Sequence, residues 1–137
     1  YILSWYAWKR SLMITFVDSM GVYLCGRFLL GCFTENESII EIAMSALLID
    51  VFLEHGRATV LMFLFCLRSV GDVVVPVLIE IVCMWVFAVS FGYFMGMALG
   101  LGLAGIWVGL ALDESSRGVV LALRWRTQKW KQRNLIR

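Results

Sequence analysis

The chain has 137 residues, of which 61% are hydrophobic and only 16% charged, with a formal net charge of +2. Soluble domains run near half apolar and a quarter charged, and so short a chain has too much surface for its volume to hide the excess. The composition therefore excludes an ordinary water-soluble domain and a disordered segment, and the four cysteines, scattered inside apolar runs, exclude a disulfide scaffold; the solvent it calls for is lipid.

Four apolar stretches follow one another at 11–30, 39–67, 73–99 and 102–123. Each is long enough for a helix to cross a hydrocarbon core roughly 30 Å thick, which takes about 20 residues. None alternates as a barrel strand would, so the expected fold is all-α, a polytopic membrane protein with four transmembrane helices. The residues ahead of the first stretch are aromatic and lack the small-residue cleavage site of a signal peptide. Between the first and second stretches, FTENESII offers Thr34, Asn36 or Ser38 as a helix cap, with Glu35, Glu37 and Glu41 near the positive end of the next helix. In RSVGDVVVP, Gly71 stops one helix and Pro76 fits the first turn of the next. The apolar, glycine-rich MALGLGLAG then makes a hairpin so short that the third and fourth helices must be antiparallel neighbours.

With alternating crossings, Lys9, Arg10, Arg68, Arg124, Arg126, Lys129, Lys131, Arg133 and Arg137 gather on one side and only Arg27 on the other. Basic loops stay in the cytoplasm. The expected arrangement is multi-pass in the cell membrane, with both termini and the Arg68 loop cytoplasmic and the acidic loop external. The tail 124–137, RWRTQKWKQRNLIR, interleaves basic and aromatic residues. It directly follows a membrane helix, so Trp125 and Trp130 read as interfacial anchors among cations that face lipid headgroups; membrane lipids are an expected partner and nucleic acid is not.

The helices carry charges that a simple anchor would not. Asp18 lies in the first, Asp50, Glu54, His55 and Arg57 in the second, Glu80 in the third, and Asp113, Glu114 and Arg117 in the fourth. A charge at a helix centre costs about 2.5–3.5 kcal/mol on the insertion scale, so six of them left in lipid would cost about 15–20 kcal/mol. They must face one another or water. Asp50, Glu54 and Arg57 share a stripe at i, i+4 and i+7, and Asp113 and Glu114 both lie within reach of Arg117. At about 1.5 Å of rise per residue the two sets sit at similar depth. Together they hold four carboxylates against two guanidiniums. Such a surplus in a low-dielectric place either takes up protons or holds a cation, the chemistry of ion-coupled movement. Intrahelical ion pairing is the structural alternative for the same residues. His55 reads as a satisfied polar residue beside Glu54, and Glu80, about one turn beyond Pro76, reads as reaching the cytoplasmic interface.

Gly92, Gly96 and Gly100 form a small-residue row of the kind that lets helix backbones approach, and Gly105 with Gly109 repeats the spacing. Cys25, Cys32, Cys66 and Cys83 show no metal-ligand spacing and read as small apolar fillers. No metal site, phosphate-binding glycine loop or nucleophile motif is visible, so neither an enzyme nor a resident cofactor is expected.

The run LEHGRA, LRSVGDVVVPVLI, MWVFAVSFGY and LGLGLAGIWVGLALDESSRGVVLALRWR resembles the C-terminal part of the multidrug and toxic compound extrusion (MATE) family. The bacterial branch has a last helix of the form GLGLxGIWxxxALDExxRG, followed by RWR and a basic tail. GRFLLGCFTENESII is similar to its loop of the GRPLLxLFTxDxxVI kind. The resemblance implies that the four helices are the ninth to twelfth of a twelve-helix transporter, most of its C-terminal lobe, with the remaining transporter helices as partners. It implies an antiporter that exports drugs and other organic cations, antibiotics among them, by alternating access, with sodium ions or protons as the coupling ion. It also implies an aspartate of the cation site on the tenth helix, carried here first to Asp50 and second to Glu54, while Asp113, Glu114 and Arg117 match the DExxRG motif. The chain departs from the branch at His55 and Ser90, where proline is common, and at Ser115, where tryptophan is; the missing prolines predict stiffer helices there. Other functions compatible with the residues are a lipid-linked flippase of the same superfamily, a small self-dimerising four-helix exporter, and a non-transporting membrane scaffold or remnant.

Overall fold

The computed structural model describes residues 1–128. Its regular elements are α1 (Ile2–Gly31), α2 (Glu37–Ser69), α3 (Val74–Cys83, continuing through π-wound turns at Met84–Phe91 and Phe94–Ala98) and α4 (Gly102–Arg126). The described residues are thus all-α. The tail residues beyond 128, among them Lys129, Trp130, Lys131, Arg133 and Arg137, lie outside the described part.

Helix α1 begins at Ile2, well ahead of the expected start at 11. The aromatic residues there are packing groups as well as interfacial ones. The Trp5 ring lies 5.0 Å from that of Phe63, and Trp125 Nε1 donates to Ser4 Oγ at 2.8 Å. By length and composition, α1 and the Val74–Ala98 helix are long and apolar enough to cross a membrane. The other two fall short of that measure and carry charges at mid-length, so their crossing depends on those charges finding partners.

Helix α2 lies between α1 and α4, and α3 packs along α4. The core gathers at one end of this layer, where Val60, Phe63, Leu64 and Leu67 of α2 meet Leu121 and Trp125 of α4, flanked by Trp5 and Trp8. Elsewhere Ile40, Val51 and Leu53 of α2 are buried, but many large apolar side chains point outward; in α1 only Ser19 and Gly26 are buried. Apolar residues such as Leu3, Phe28, Phe52 and Trp85 stay exposed, an inversion that suits lipid contact.

The turns follow local chemistry. Asn36 is the cap chosen for α2, its Oδ1 accepting from the Ser38 amide at 3.1 Å. Helix α2 ends in a Schellman turn. Gly71 takes φ +80°, its amide donates to the Arg68 carbonyl at 3.0 Å, and the Asp72 amide donates to the Leu67 carbonyl at 3.0 Å.

Gly100 is a correction to the expected packing row. It has φ +69° and nothing within 4 Å of a Cβ, because it makes the α3–α4 turn instead of a helix contact. The contact itself runs between Gly92 and Gly96 on α3 and Gly105 and Gly109 on α4. A Cβ on Gly109 would lie 2.5 Å from the Gly92 Cα, so the two backbones touch. The helix around Ser90 is also wound unevenly. Ser90 sits in the π-wound stretch, where its hydroxyl donates to the Trp85 carbonyl, five residues back, at 2.8 Å.

Candidate functional site, a charged seam between helices α2 and α4

The two long helices meet at mid-length. Glu54 lies close to the centre of α2 and Glu114 close to the centre of α4. A Cβ on Gly56 would come within 2.8 Å of the Ser115 amide nitrogen and 2.9 Å of the Glu114 carbonyl carbon. Only glycine lets the backbones come so close, and the closeness brings the charges of both helices to one level.

They form a chain of ion pairs. Glu54 Oε1 accepts from Arg57 Nη1, and the Arg57 Nε stands 3.8 Å from Glu114 Oε1. The same Glu114 oxygen lies 3.1 Å from Arg117 Nη2, which also donates to Asp113 Oδ2 at 2.6 Å. Side-chain exposure falls along this chain, from 46% at Arg57 through 16% at Glu114 to 3% at Asp113. Two atoms at the buried end have no hydrogen-bond partner, Asp113 Oδ1 and Arg117 Nε.

Asp50 does not join this chain. It lines a cavity of about 300 Å³ between α1 and α2, together with Thr15, Asp18, Ser19 and Glu54. Glu54 therefore belongs both to the cavity wall and to the ion-pair chain. Asp18, which has no partner on its own helix in the sequence, is brought to the same wall. Neither Asp18 nor Asp50 takes part in an ion pair among the described residues. With Asp18 counted, the region holds five carboxylates against the guanidiniums of Arg57 and Arg117. Among the described residues no group of three or more His, Cys, Asp or Glu converges as a metal site.

The remaining charged residues are placed as follows. His55 turns away from Glu54; its Nδ1 lies 2.6 Å from the Val51 carbonyl and its ring stands edge-on to Phe16. It lines an apolar groove of about 530 Å³ with Trp5, Trp8, Phe52 and Thr59. Glu80 lies 3.6 Å from Arg68 across the α2–α3 turn. Two pairs that sequence spacing missed are the exposed Arg27 with Glu37, at 3.0 Å, and Asp72 with Arg124. Arg124 Nε donates to Asp72 Oδ2 at 2.6 Å, and the Asp72 side chain is 1% exposed. Only the single carboxylate in an otherwise apolar turn hinted at it.

The comparisons with known proteins agree with this architecture. Residues 5–94 match the MatE family. The chain is 33% identical over 125 residues to the uncharacterized transporter YisQ of Bacillus subtilis, a match covering 91% of this chain and 28% of that protein. It is 25% identical over 129 residues to the probable multidrug resistance protein NorM of Thermotoga maritima, covering 94% of this chain and 28% of NorM. With the NorM of Pseudomonas aeruginosa it shares 29% identity over 96 residues, 69% of this chain and 20% of that one. The chain thus spans between a fifth and little more than a quarter of the length of these curated relatives. No solved structure matches it. By the extent of the family match, the chain belongs to the MatE family of membrane transporters, which are not enzymes.

Proposed function

We propose that the chain is the C-terminal portion, helices nine to twelve, of an antiporter that exports organic cations and drugs in exchange for sodium ions or protons by alternating access. The names of the NorM relatives support the drug-efflux reading, and that partial coverage supports a segment completed by further helices. The excess of basic residues at the end holding Lys9, Arg10, Arg68, Arg124 and Arg126, against Arg27 alone at the other, supports an inner-membrane orientation with the C-terminus in the cytoplasm.

The observation that carries the ion-coupling reading is the polar cavity between α1 and α2. Asp18, Asp50 and Glu54 line it, and Arg57 answers only Glu54 at close range. Two carboxylates without an ion-pair contact, at mid-length of helices in a hydrocarbon slab, are stabilised by taking a cation or a proton and destabilised when they lose it. That difference makes the occupancy of the cavity respond to the ion gradient. Asp50 and Glu54 are the first cation ligands; on the neighbouring helix Glu114 meets both charge partners, Arg57 of α2 and Arg117 of α4, and Asp113 holds Arg117.

Asp50→Asn in the complete transporter tests the reading. The substitution keeps the volume and hydrogen-bonding capacity of the side chain and removes its charge. Efflux of a fluorescent cationic dye, normalised to transporter in the membrane, is expected to fall to background. Full efflux by Asp50→Asn and by Glu54→Gln would make the carboxylates of α2 structural and overturn the reading.

A further inference from the structure

The buried end of the ion-pair chain contains an arrangement that its own atoms could improve. Asp113 Oδ1 is an acceptor without a donor, and Arg117 Nε is a donor without an acceptor. The two residues are already joined through Oδ2 and Nη2 at 2.6 Å. A guanidinium and a carboxylate normally prefer two parallel bonds to one. Here the second bond is unmade, and its absence has a visible cause. Arg117 Nη2 is shared, lying 3.1 Å from Glu114 Oε1 as well, so the guanidinium is turned toward Glu114. Glu114 in turn is loosely held by Arg57 at 3.8 Å, because Arg57 has its close partner in Glu54.

From this geometry we infer that Glu54, Arg57, Glu114, Arg117 and Asp113 form a positioning relay, which carries the occupancy of the Asp50–Glu54 cavity into the α2–α4 interface. The inference rests on the cation reading above. With the cavity empty, Glu54 keeps Arg57, and Glu114 draws on Arg117. A cation or proton in the cavity neutralises Glu54, and Arg57 then closes on Glu114. Glu114, now answered, releases Nη2 of Arg117, which turns to pair with both oxygens of Asp113 and satisfies the two orphaned atoms. In both arrangements every charge of the seam is answered, Glu54 exchanging Arg57 for the cation or proton, so switching between them strands no charge in the low-dielectric seam, where a stranded charge is costly. The moving atoms lie beside the Gly56–Ser115 contact, where the helix backbones touch and a shift of side chains is felt as a shift of helices. None of the relay residues beyond Glu54 lines the cavity; they act on the cation through Glu54 and through the field of Arg57 on Asp50.

The test uses the complete transporter in proteoliposomes, with dye efflux measured against sodium at fixed pH and against pH at fixed sodium. Glu114→Gln removes the link between the two guanidiniums while keeping the side-chain volume. Arg117→Lys keeps the charge on Asp113 and loses the fork that makes two bonds, and it retains the seam's ion pair should Glu114→Gln fold poorly. Both variants are expected to shift the half-saturating cation concentration about ten-fold, with the half-saturating dye concentration unchanged. A merely structural seam predicts altered thermal stability and an unaltered cation dependence, and that result overturns the relay. Asp50→Asn and Glu54→Gln are run alongside. If Asp50→Asn abolishes coupling while both relay variants keep the parent's cation dependence, the relay alone falls; if it and Glu54→Gln both leave cation dependence intact, the cation reading fails and the relay with it.

Discussion

Asp72 and Arg124, 52 positions apart in the chain, meet at 2.6 Å and clamp the α2–α3 turn onto the last turn of α4. The Schellman turn at Gly71 aims Asp72 inward, so that its carboxylate is almost wholly shielded while the guanidinium keeps 20% of its exposure. Asp72→Ala leaves Arg124 part-buried without this acceptor and is expected to cost about 1–3 kcal/mol. Thermal unfolding of the purified transporter in detergent measures it. The double variant Asp72→Ala with Arg124→Leu is expected to recover part of the loss, because no charge is then left behind.

The glycine contact between α3 and α4 gives a second prediction. Gly109→Ala places a methyl group 2.5 Å from the Gly92 Cα, where backbone must give way, and a cost of about 1–3 kcal/mol is expected. Gly21→Ala, in the middle of α1 with nothing within 4 Å, is expected to be neutral or to gain about 0.5–1 kcal/mol. Equal melting temperatures for the two variants would contradict the backbone contact.

Orientation is tested by labelling intact cells with an impermeant maleimide. Cys25 and Cys32 are exposed and are first replaced by serine. Glu37→Cys is then expected to react from outside and Ser69→Cys to react only after permeabilisation. The opposite pattern reverses the assignment.

Ser90 supplies a further measurement. In the π-wound stretch the carbonyl four residues back lies off the line on which a proline ring collides with it in an α-helix. Ser90→Pro is therefore expected to cost less than Ala46→Pro, which breaks the buried, regular part of α2 at about 3 kcal/mol. Comparison of the two by thermal unfolding decides it.

What the sequence made legible was whatever depends on spacing along one helix. Arg117 lies one turn from Asp113 and Glu114, and the pairs form. Gly71 and Pro76 punctuate the α2–α3 connection where turn chemistry places them. Relationships between helices were not legible, because they depend on how each helix is rotated about its axis. Asp18 reaches the wall that holds Asp50 only once α1 is docked on α2, and Asp72 finds Arg124 only when α4 packs beside the turn. The π winding was also hidden. It is a backbone pattern, accompanied by the Ser90 hydroxyl meeting a carbonyl five residues back, and a hydrophobic run such as MWVFAVSF carries no periodic trace of it.

The aromatic cluster at the end where α1 begins has a use beyond packing. Trp5 and Trp8 stand edge to face with ring centres 5.6 Å apart, both lie over Phe63, and Trp125 stacks on Tyr1 at 6.2 Å. Three of the five indoles among the described residues are thus gathered where α1, α2 and α4 converge. Their emission and near-ultraviolet dichroism report on the spacing of those helices, so the protein carries its own optical gauge of this end, readable without any attached dye.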